Sequence, residues 1–215
     1  MWAELGALVR ARLGILSDTH LPKPGGLPDI LLRAFEGVDA ILHGGDVTDL
    51  SCLRPLVAIA PLYLVTGNND PPEMAMQYGW RRALRWRGWR IGLVHGDEGS
   101  GRTTPHRARN AFRDAPPSYE EVSVRAPQTA ALPPLPETRV AVPAGRPTQM
   151  RLRAPSSSVF DWIVCGHSHT PYCQVLDGVL VLNPGSPTER RREPRASFVV
   201  VETDDLGLDV RFFYF

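Results

Sequence analysis

Three short apolar runs near the start of the chain each stop at a cluster of small polar residues, and this repeated ending restricts the possible folds more than any other feature. Arg12 to Leu16 ends in Ser17-Asp18-Thr19-His20, Ala40 to Leu42 in His43-Gly44-Gly45-Asp46, and Leu62 to Val65 in Thr66-Gly67-Asn68-Asn69-Asp70. Between them, Leu27 to Glu36 carries apolar residues at helical spacing, and Asp49 to Ile59 is a shorter segment of the same kind. The rhythm is β-α-β-α-β, which predicts a largely parallel sheet with buried strands. Further on, 81–87 and 90–94 alternate around Gly88, predicting a hairpin that leads into His95-Gly96-Asp97, with Trp80, Trp86 and Trp89 expected to pack on a neighbouring helix. Thr104 to Arg113 reads as a short helix with Pro105 in its first turn. Phe160 to Cys165 precedes Gly166-His167-Ser168-His169, and two more hairpins centre on Asp177-Gly178 and on 204–207. The fold class is therefore α/β with two sheets, one begun by the early strands and one enriched in the late hairpins.

In an open α/β sheet, ligands bind beyond the carboxyl ends of the strands. Four of the six histidines (His20, His95, His167, His169) fall at such ends, beside Asp18, Asp46, Asn68, Asn69 and Asp70. Asp18-x-His20 and His167-x-His169 have a ligand-x-ligand form, which in an extended segment directs both side chains to one side. With Asp46, Asn68 and His95 they make seven N/O donors without sulfur, more than one tetrahedral ion needs and enough for two ions if one carboxylate bridges. Imidazole mixed with carboxylate and amide oxygen suits Mn, Fe, Zn, Ni or Co better than Ca or Mg. Two divalent ions outweigh the charge of Asp18 and Asp46, so the site attracts an anion. Paired ions are the usual clamp for in-line displacement at phosphorus by an acidified water.

Asp18-x-His20, Gly45-Asp46, Gly67-Asn68, His95-Gly96 and Gly166-His167-x-His169, in this order, resemble the calcineurin-like metallophosphoesterase superfamily. Together with Asn183-Pro184-Gly185-Ser186 they look most like its small phosphodiesterase branch, which also contains the small subunit of retromer. The resemblance covers about residues 11–97 and 158–215. It implies a four-layer αββα sandwich of two mixed β-sheets flanked by helices. It also implies one metal held by Asp18, His20, Asp46 and His169, and another held by Asp46, Asn68, His95 and His167. Asp46 then bridges, and a metal-bridging hydroxide hydrolyses a phosphodiester, with Mn the favoured ion.

Many members of the superfamily have Gly-Asn-His-Asp where this chain has Gly67-Asn68-Asn69-Asp70. An amide supplies no proton at useful pKa, and losing a positioned acid costs about 10²–10⁴-fold on poor leaving groups. Diesters with good leaving groups are thus expected over alkyl monoesters. Asn69 and Asp70 are candidates for the phosphate site, or for capping the next turn. His43 reads as core or as support behind the ligands, and His106 as exposed or as a substitute acid. The glycines at 44, 45, 67, 96, 166 and 185 are expected to serve through positive φ.

Composition narrows the class of protein. With 24 Lys plus Arg against 23 Asp plus Glu, general coating of nucleic acid is not indicated, and only Lys23 is a lysine. The apolar stretches are too short and too interrupted for a membrane span, the start has no secretory pattern, and three cysteines without metal spacing read as free core thiols. A cytoplasmic protein is expected. Nine of the 21 prolines fall at 115–155, a segment that reads as a Pro/Arg-rich insertion in a single 1–215 domain. It is solvated by default, or it covers the crevice with Arg102, Arg107 or Arg109 gripping a phosphate. The expected partner is a phosphodiester small molecule or nucleotide, with a homo-oligomer left open. Two other readings stand beside the diesterase: a phosphomonoesterase or nucleotidase using the same site, and a catalytically weak, retromer-subunit-like binding scaffold.

Overall fold

The computed structural model describes residues 11–20, 26–113, 118–123, 135, 143–152, 159–204 and 207–215. The early rhythm forms as expected: β1 (Ala11–Leu16), α1 (Asp29–Phe35), β2 (Ala40–His43), a 3-10 turn (Leu50–Leu53) running into α2 (Arg54–Ile59), and β3 (Leu62–Leu64). The three strands pair in parallel in the order β3-β2-β1. Their carboxyl ends therefore lie along one edge. Helix α1 begins directly after Pro28, carries Asp29 in its first turn, and buries Leu31, Ala34 and Phe35 at helical spacing on one face. A further helix, α3 (Pro72–Tyr78), follows the Asp70 turn, where the sequence reading has only a capped turn.

The second sheet starts with the hairpin β4 (Arg81–Trp86) and β5 (Trp89–Val94), after which come α4 (Thr104–Asn110), β6 (Glu120–Glu121), β7 (Gln149–Leu152), β8 (Trp162–Val164), β9 (Tyr172–Leu176), β10 (Val179–Asn183), β11 (Ser197–Asp204) and β12 (Gly207–Tyr214). The late hairpins do not share a sheet. The β9–β10 hairpin joins β8 and β5, whereas β11 pairs antiparallel with β1, giving the orders β3-β2-β1-β11-β12-β7 and β6-β4-β5-β8-β10-β9. Hydrophobic pattern identifies a hairpin but not the edge on which it docks, so this assignment needs the tertiary structure.

One apolar cluster lies between the sheets and includes Leu13, Ile15, Trp86, Ile91, Trp162, Leu182, Val199 and Val201. A second joins α1–α3 to the far face of the first sheet through Phe35, Leu53, Leu56 and Met74 against Ile41, Phe198 and Val200. A third packs Ala108 and Ala111 against Val94, Ile163 and Val181 on the far face of the second. The result is the four-layer α/β/β/α arrangement of two mixed sheets. Trp86 and Trp89 sit between the sheets rather than under a helix, and Trp80 is exposed, which corrects the expectation for all three. Aromatic residues alternating on a hairpin face the larger apolar surface available, and here that is the opposite sheet.

The described parts of the insertion are more regular than their composition suggests. Its ends supply β6, beside β4 at the edge of the second sheet, and β7, beside β12 at the edge of the first. Arg82 holds Glu120 through two nitrogens, and Tyr214 donates to the carbonyl of Pro147. Residues 124–134 and 136–142 lie outside the described residues, as do Lys23 and the start of the chain at 1–10. No helix among the described residues is long and apolar enough to cross a membrane.

Candidate metal centre

The parallel pairing of β5, β8 and β10 brings the His95 turn, the 166–169 turn and the Asn183-Pro184-Gly185-Ser186 turn to one edge of the second sheet. That edge meets the edge of the first sheet carrying 17–20, 44–46 and 66–70. Backbone bonds join turns within each sheet (Asp18 N to Gly45 O 2.9 Å, His20 N to Asp46 O 2.8 Å, Gly166 N to His95 O 2.9 Å). Between the sheets, His167 N donates to Asp18 Oδ1 at 3.0 Å and His95 Nδ1 to Gly44 O at 2.7 Å.

Asp18, His20 and His169 form one group whose ligand atoms could hold an ion, and Asp18, Asp46 and His95 form another. His169 Nε2 lies 3.3 Å from Asp18 Oδ1 and 3.2 Å from His20 Nε2. Asp18 belongs to both groups, and Asp46 Oδ2, 3.3 Å from His95 Nε2 in its own group, also faces His20 Nε2 of the other at 3.7 Å. Neighbouring donors each about 2.0–2.2 Å from one ion are about 3–3.5 Å apart, which the three shorter spacings match, while the 3.7 Å approach of His20 to Asp46 is slightly longer. His167 belongs to neither group. Its ring is half-buried, meets His95 edge-on with centroids 5.3 Å apart, and places Nδ1 3.0 Å from Asn68 Oδ1. The x in His167-x-His169 thus separates two directions rather than aligning them.

The backbone explains both results. Asp18, His20, Asp46, His167 and His169 all have φ between +47° and +66°, beyond the strands rather than in extended segments. The same-side argument for i and i+2 therefore does not apply, and Asp18 and His20 converge through left-handed turns. Five non-glycine residues held in that region at one site store strain of order 1–3 kcal/mol each, a feature that clusters at functional sites. Of the nearby glycines, Gly45, Gly96 and Gly185 do have positive φ. Gly67 and Gly166 are needed for space instead. A Cβ on Gly67 would stand 2.3 Å from Asp46 Oδ1, and one on Gly166 would stand 2.4 Å from Asp18 Oδ2.

Hydrogen bonds set the ring nitrogens. A carbonyl can only accept, so His95 carries its proton on Nδ1 towards Gly44 O, and His169 on Nδ1 towards Glu189 O. That leaves Nε2 of each as the donor atom for a metal, and His95 Nε2 is buried with no hydrogen-bond partner. An orphaned buried nitrogen between two carboxylates is the arrangement a cation completes, so the residues fit divalent metal. Without it, burial pushes Asp18 up to about 7. Burial opposes protonation of His95, but Asp46 and Asp18 outweigh it and raise the imidazole to about 9. Burial also works against ionisation of Asp46, yet His95 and the donors of Asn69 hold its carboxyl well below the usual range. Burial lowers His169 to about 4, so it is neutral, and lowers His167 as well.

The remaining sequence candidates separate by what they touch. Asn69 donates from its backbone to Asp46 Oδ1 at 2.8 Å and from its amide to Oδ2 at 2.7 Å. Asp70 turns away: its oxygens accept from the backbone of Asp46, Val47, Thr48 and Gly67 at 2.6–2.9 Å. Buried His43 accepts from Gly45 N and bonds the Thr19 hydroxyl, and burial lowers it to about 3, so it is a neutral tie between two turns. His106 is exposed on α4 and bonded to the Thr103 hydroxyl. Arg107 is engaged with Gly96 O and Thr104, while Arg109 approaches Asp177 at 4.0 Å. Cys165 is a buried thiol raised to about 12 by burial.

The sequence reading missed the 186–193 loop. Ser186 and Thr188 donate to the carbonyls of Asp18 and Thr19, Glu189 O holds His169, and Arg191 reaches His167 O at 3.2 Å. The Asn183-Pro184-Gly185-Ser186 motif was the available signal, because it is the turn that leads into this loop.

A four-layer sandwich with carboxylates and imidazoles gathered where the strand ends of both sheets meet defines a metal-dependent hydrolase of phosphate esters. The chain belongs to the calcineurin-like phosphoesterase superfamily, whose domain profile matches residues 12–206. It is 25% identical over 200 residues to a probable metallophosphoesterase of Methanothermobacter thermautotrophicus, covering 92% of this chain and 90% of the relative. It is 28% identical over 194 residues to another from Methanocaldococcus jannaschii, covering 90% and 76%. Among solved structures it resembles in fold wild-type Vps29 complexed with Zn²⁺ from Entamoeba histolytica, with TM-score 0.60 at 17% identity over 95% of this chain and 98% of that one.

Proposed function

We propose that this chain is a phosphodiesterase working with two divalent transition-metal ions, Mn favoured and Fe, Zn, Ni or Co able to serve, in a single domain that carries the 115–155 insertion. The observation that carries the reading is Asp46, whose Oδ2 stands 3.3 Å from His95 Nε2 and 3.7 Å from His20 Nε2. Asp18, His20, Asp46 and His169 hold one ion, and Asp46, Asn68, His95 and His167 the other. The Entamoeba fold neighbour is complexed with Zn²⁺, which supports divalent-metal binding by this chain as well. When bound, such ions acidify water and neutralise charge developing on phosphorus. The protein's share is to hold a ring proton of His95 and of His169 on Nδ1 through the carbonyls of Gly44 and Glu189, which turns Nε2 of each towards the metal position, and to keep Asp46 ionised and oriented through Asn69. Asn69 acts through Asp46 and Asp70 through the backbone of the same turn, so both are positioning residues.

No side chain with a suitable proton stands where the larger family has its histidine, which supports diesters over monoesters. With Mn²⁺ present, bis(p-nitrophenyl) phosphate is expected to turn over at least ten times faster than p-nitrophenyl phosphate. Equal or faster monoester turnover would sink the preference. Fewer than one ion per chain together with no diester turnover would favour the scaffold reading.

Metal uptake should also release protons. At pH 7 a group raised to about 9 is charged and one raised to about 7 is half protonated, and metal binds only the deprotonated forms. Protons should therefore leave from His95 and Asp18 when chelator-treated protein takes up Mn²⁺ at pH 7. Apparent affinity should rise with pH until about 9. Calorimetric titration in two buffers of different ionisation heat measures this, and identical heats would contradict it.

A further inference from the structure

The loop after the Ser186 turn holds a guanidinium at the rim of the site that neither the metal sets nor the Asp46 clamp uses. Arg191 is exposed, yet its Nη1 lies 3.2 Å from the carbonyl of His167, inside the 166–169 turn. Its backbone has φ +49°, a conformation that disfavours a side-chain-bearing residue unless the surroundings impose it. They do impose it. Glu193 N donates to Arg190 O at 2.8 Å and closes the turn, and Arg190 donates back to Glu193 O at 2.6 Å. The carboxylate of Glu193, 5% exposed, takes two bonds from Arg146 at 2.7 and 2.6 Å. On the other side, Glu189 O receives His169 Nδ1. The turn is thus tied to a proposed metal ligand at one end and to the insertion at the other, with Arg191 at its tip.

Only one of the five N–H donors of Arg191 has a partner among the described residues, so the planar fork is available to an anion. The three arginines singled out from sequence compare poorly: Arg107 and Arg109 are turned to Gly96 and Asp177, and Arg102 makes no contact of this kind among the described residues.

We propose that Arg191 binds a second anionic group of the substrate, so that the diester this site takes carries an additional phosphate. The inference rests on the phosphodiesterase reading, in which the first phosphate is engaged by the metals. A charge-assisted, forked contact of this kind is worth about 10- to 100-fold in affinity.

The test uses two ligands that resemble cleavage products and contain no diester, adenosine 3′,5′-bisphosphate and adenosine 5′-monophosphate, titrated calorimetrically into the Mn²⁺-loaded full chain. The bisphosphate should bind at least tenfold tighter. Arg191→Gln should remove that preference, Arg191→Lys should keep part of it, and Arg192→Gln, one position along, should leave it intact. A wild type that binds both ligands equally, or neither, overturns the proposal, and so does a preference that survives Arg191→Gln. Turnover of bis(p-nitrophenyl) phosphate is scored separately. If turnover is present and the preference does not depend on Arg191, the clamp fails alone. If turnover is absent and the preference does depend on Arg191, the diesterase reading fails, and with it the extra phosphate on a diester, while Arg191 stands only as an anion contact.

Discussion

Replacing Asp46 with Ala is expected to lower kcat/KM for bis(p-nitrophenyl) phosphate by about 10³-fold or more and to lower the bound metal content by at least one ion per chain, because bound metal supplies several kcal/mol of transition-state stabilisation. Asp46 is buried at the junction of both sheets, with His95 and His20 on either side of Oδ2. Its loss takes a carboxylate from both proposed ligand sets at once, and it strands the two donors of Asn69. Asp46→Asn keeps the shape of the side chain, and it removes the negative charge that separates a metal site from two facing imidazoles. Metal content by mass spectrometry and steady-state rates on the same preparation give the answer. Two ions retained with a rate within tenfold of wild type would take Asp46 out of the bridging position.

For Asp70→Ala the expected loss is in folding. One side chain accepts four backbone N–H groups, from Asp46, Val47, Thr48 and Gly67, and is itself 8% exposed. Each buried donor left without a partner costs about 1–3 kcal/mol, and with partial relaxation the four together should cost about 4 kcal/mol. That is a large share of the total of about 5–15 kcal/mol typical of a domain, and in a chain of this size it lowers Tm by roughly 8–16 °C. Asp70→Asn, which keeps one accepting oxygen, should fall between. A melting temperature within about 2 °C of wild type for the Ala variant, far below expectation, would show that water replaces the carboxylate without penalty. Because the four donors include Asp46 N, activity should fall even in molecules that stay folded.

Much of this centre was legible in the residues. Asp18, His20, Asp46, His95 and His169 follow apolar runs, and strands that pair in parallel must bring their ends to one edge. Parallel pairing is a strong consequence of β-α-β rhythm, so it places distant motifs together without knowledge of packing. The roles of Asn69 and Asp70 were not legible. They are adjacent and equally polar, yet Asn69 faces Asp46 and Asp70 faces four backbone amides, and only the path of the turn between β3 and α3 decides this. Nor was the fate of the late hairpins legible. The β11–β12 pair docks on β1, so the second sheet has to be completed by β4–β5 with β9–β10.

By itself the sequence determined the α/β class, the parallel early strands and the set of donor residues at their ends, because periodicity and residue chemistry are local properties. Tertiary structure alone decided the rest: left-handed turns aim the candidate ligands, the carbonyls of Gly44 and Glu189 choose the tautomers of His95 and His169, and the 186–193 loop brings Arg191 beside His167. Each of these depends on contacts between segments far apart in the chain, and such contacts leave no periodic trace in the residues that make them.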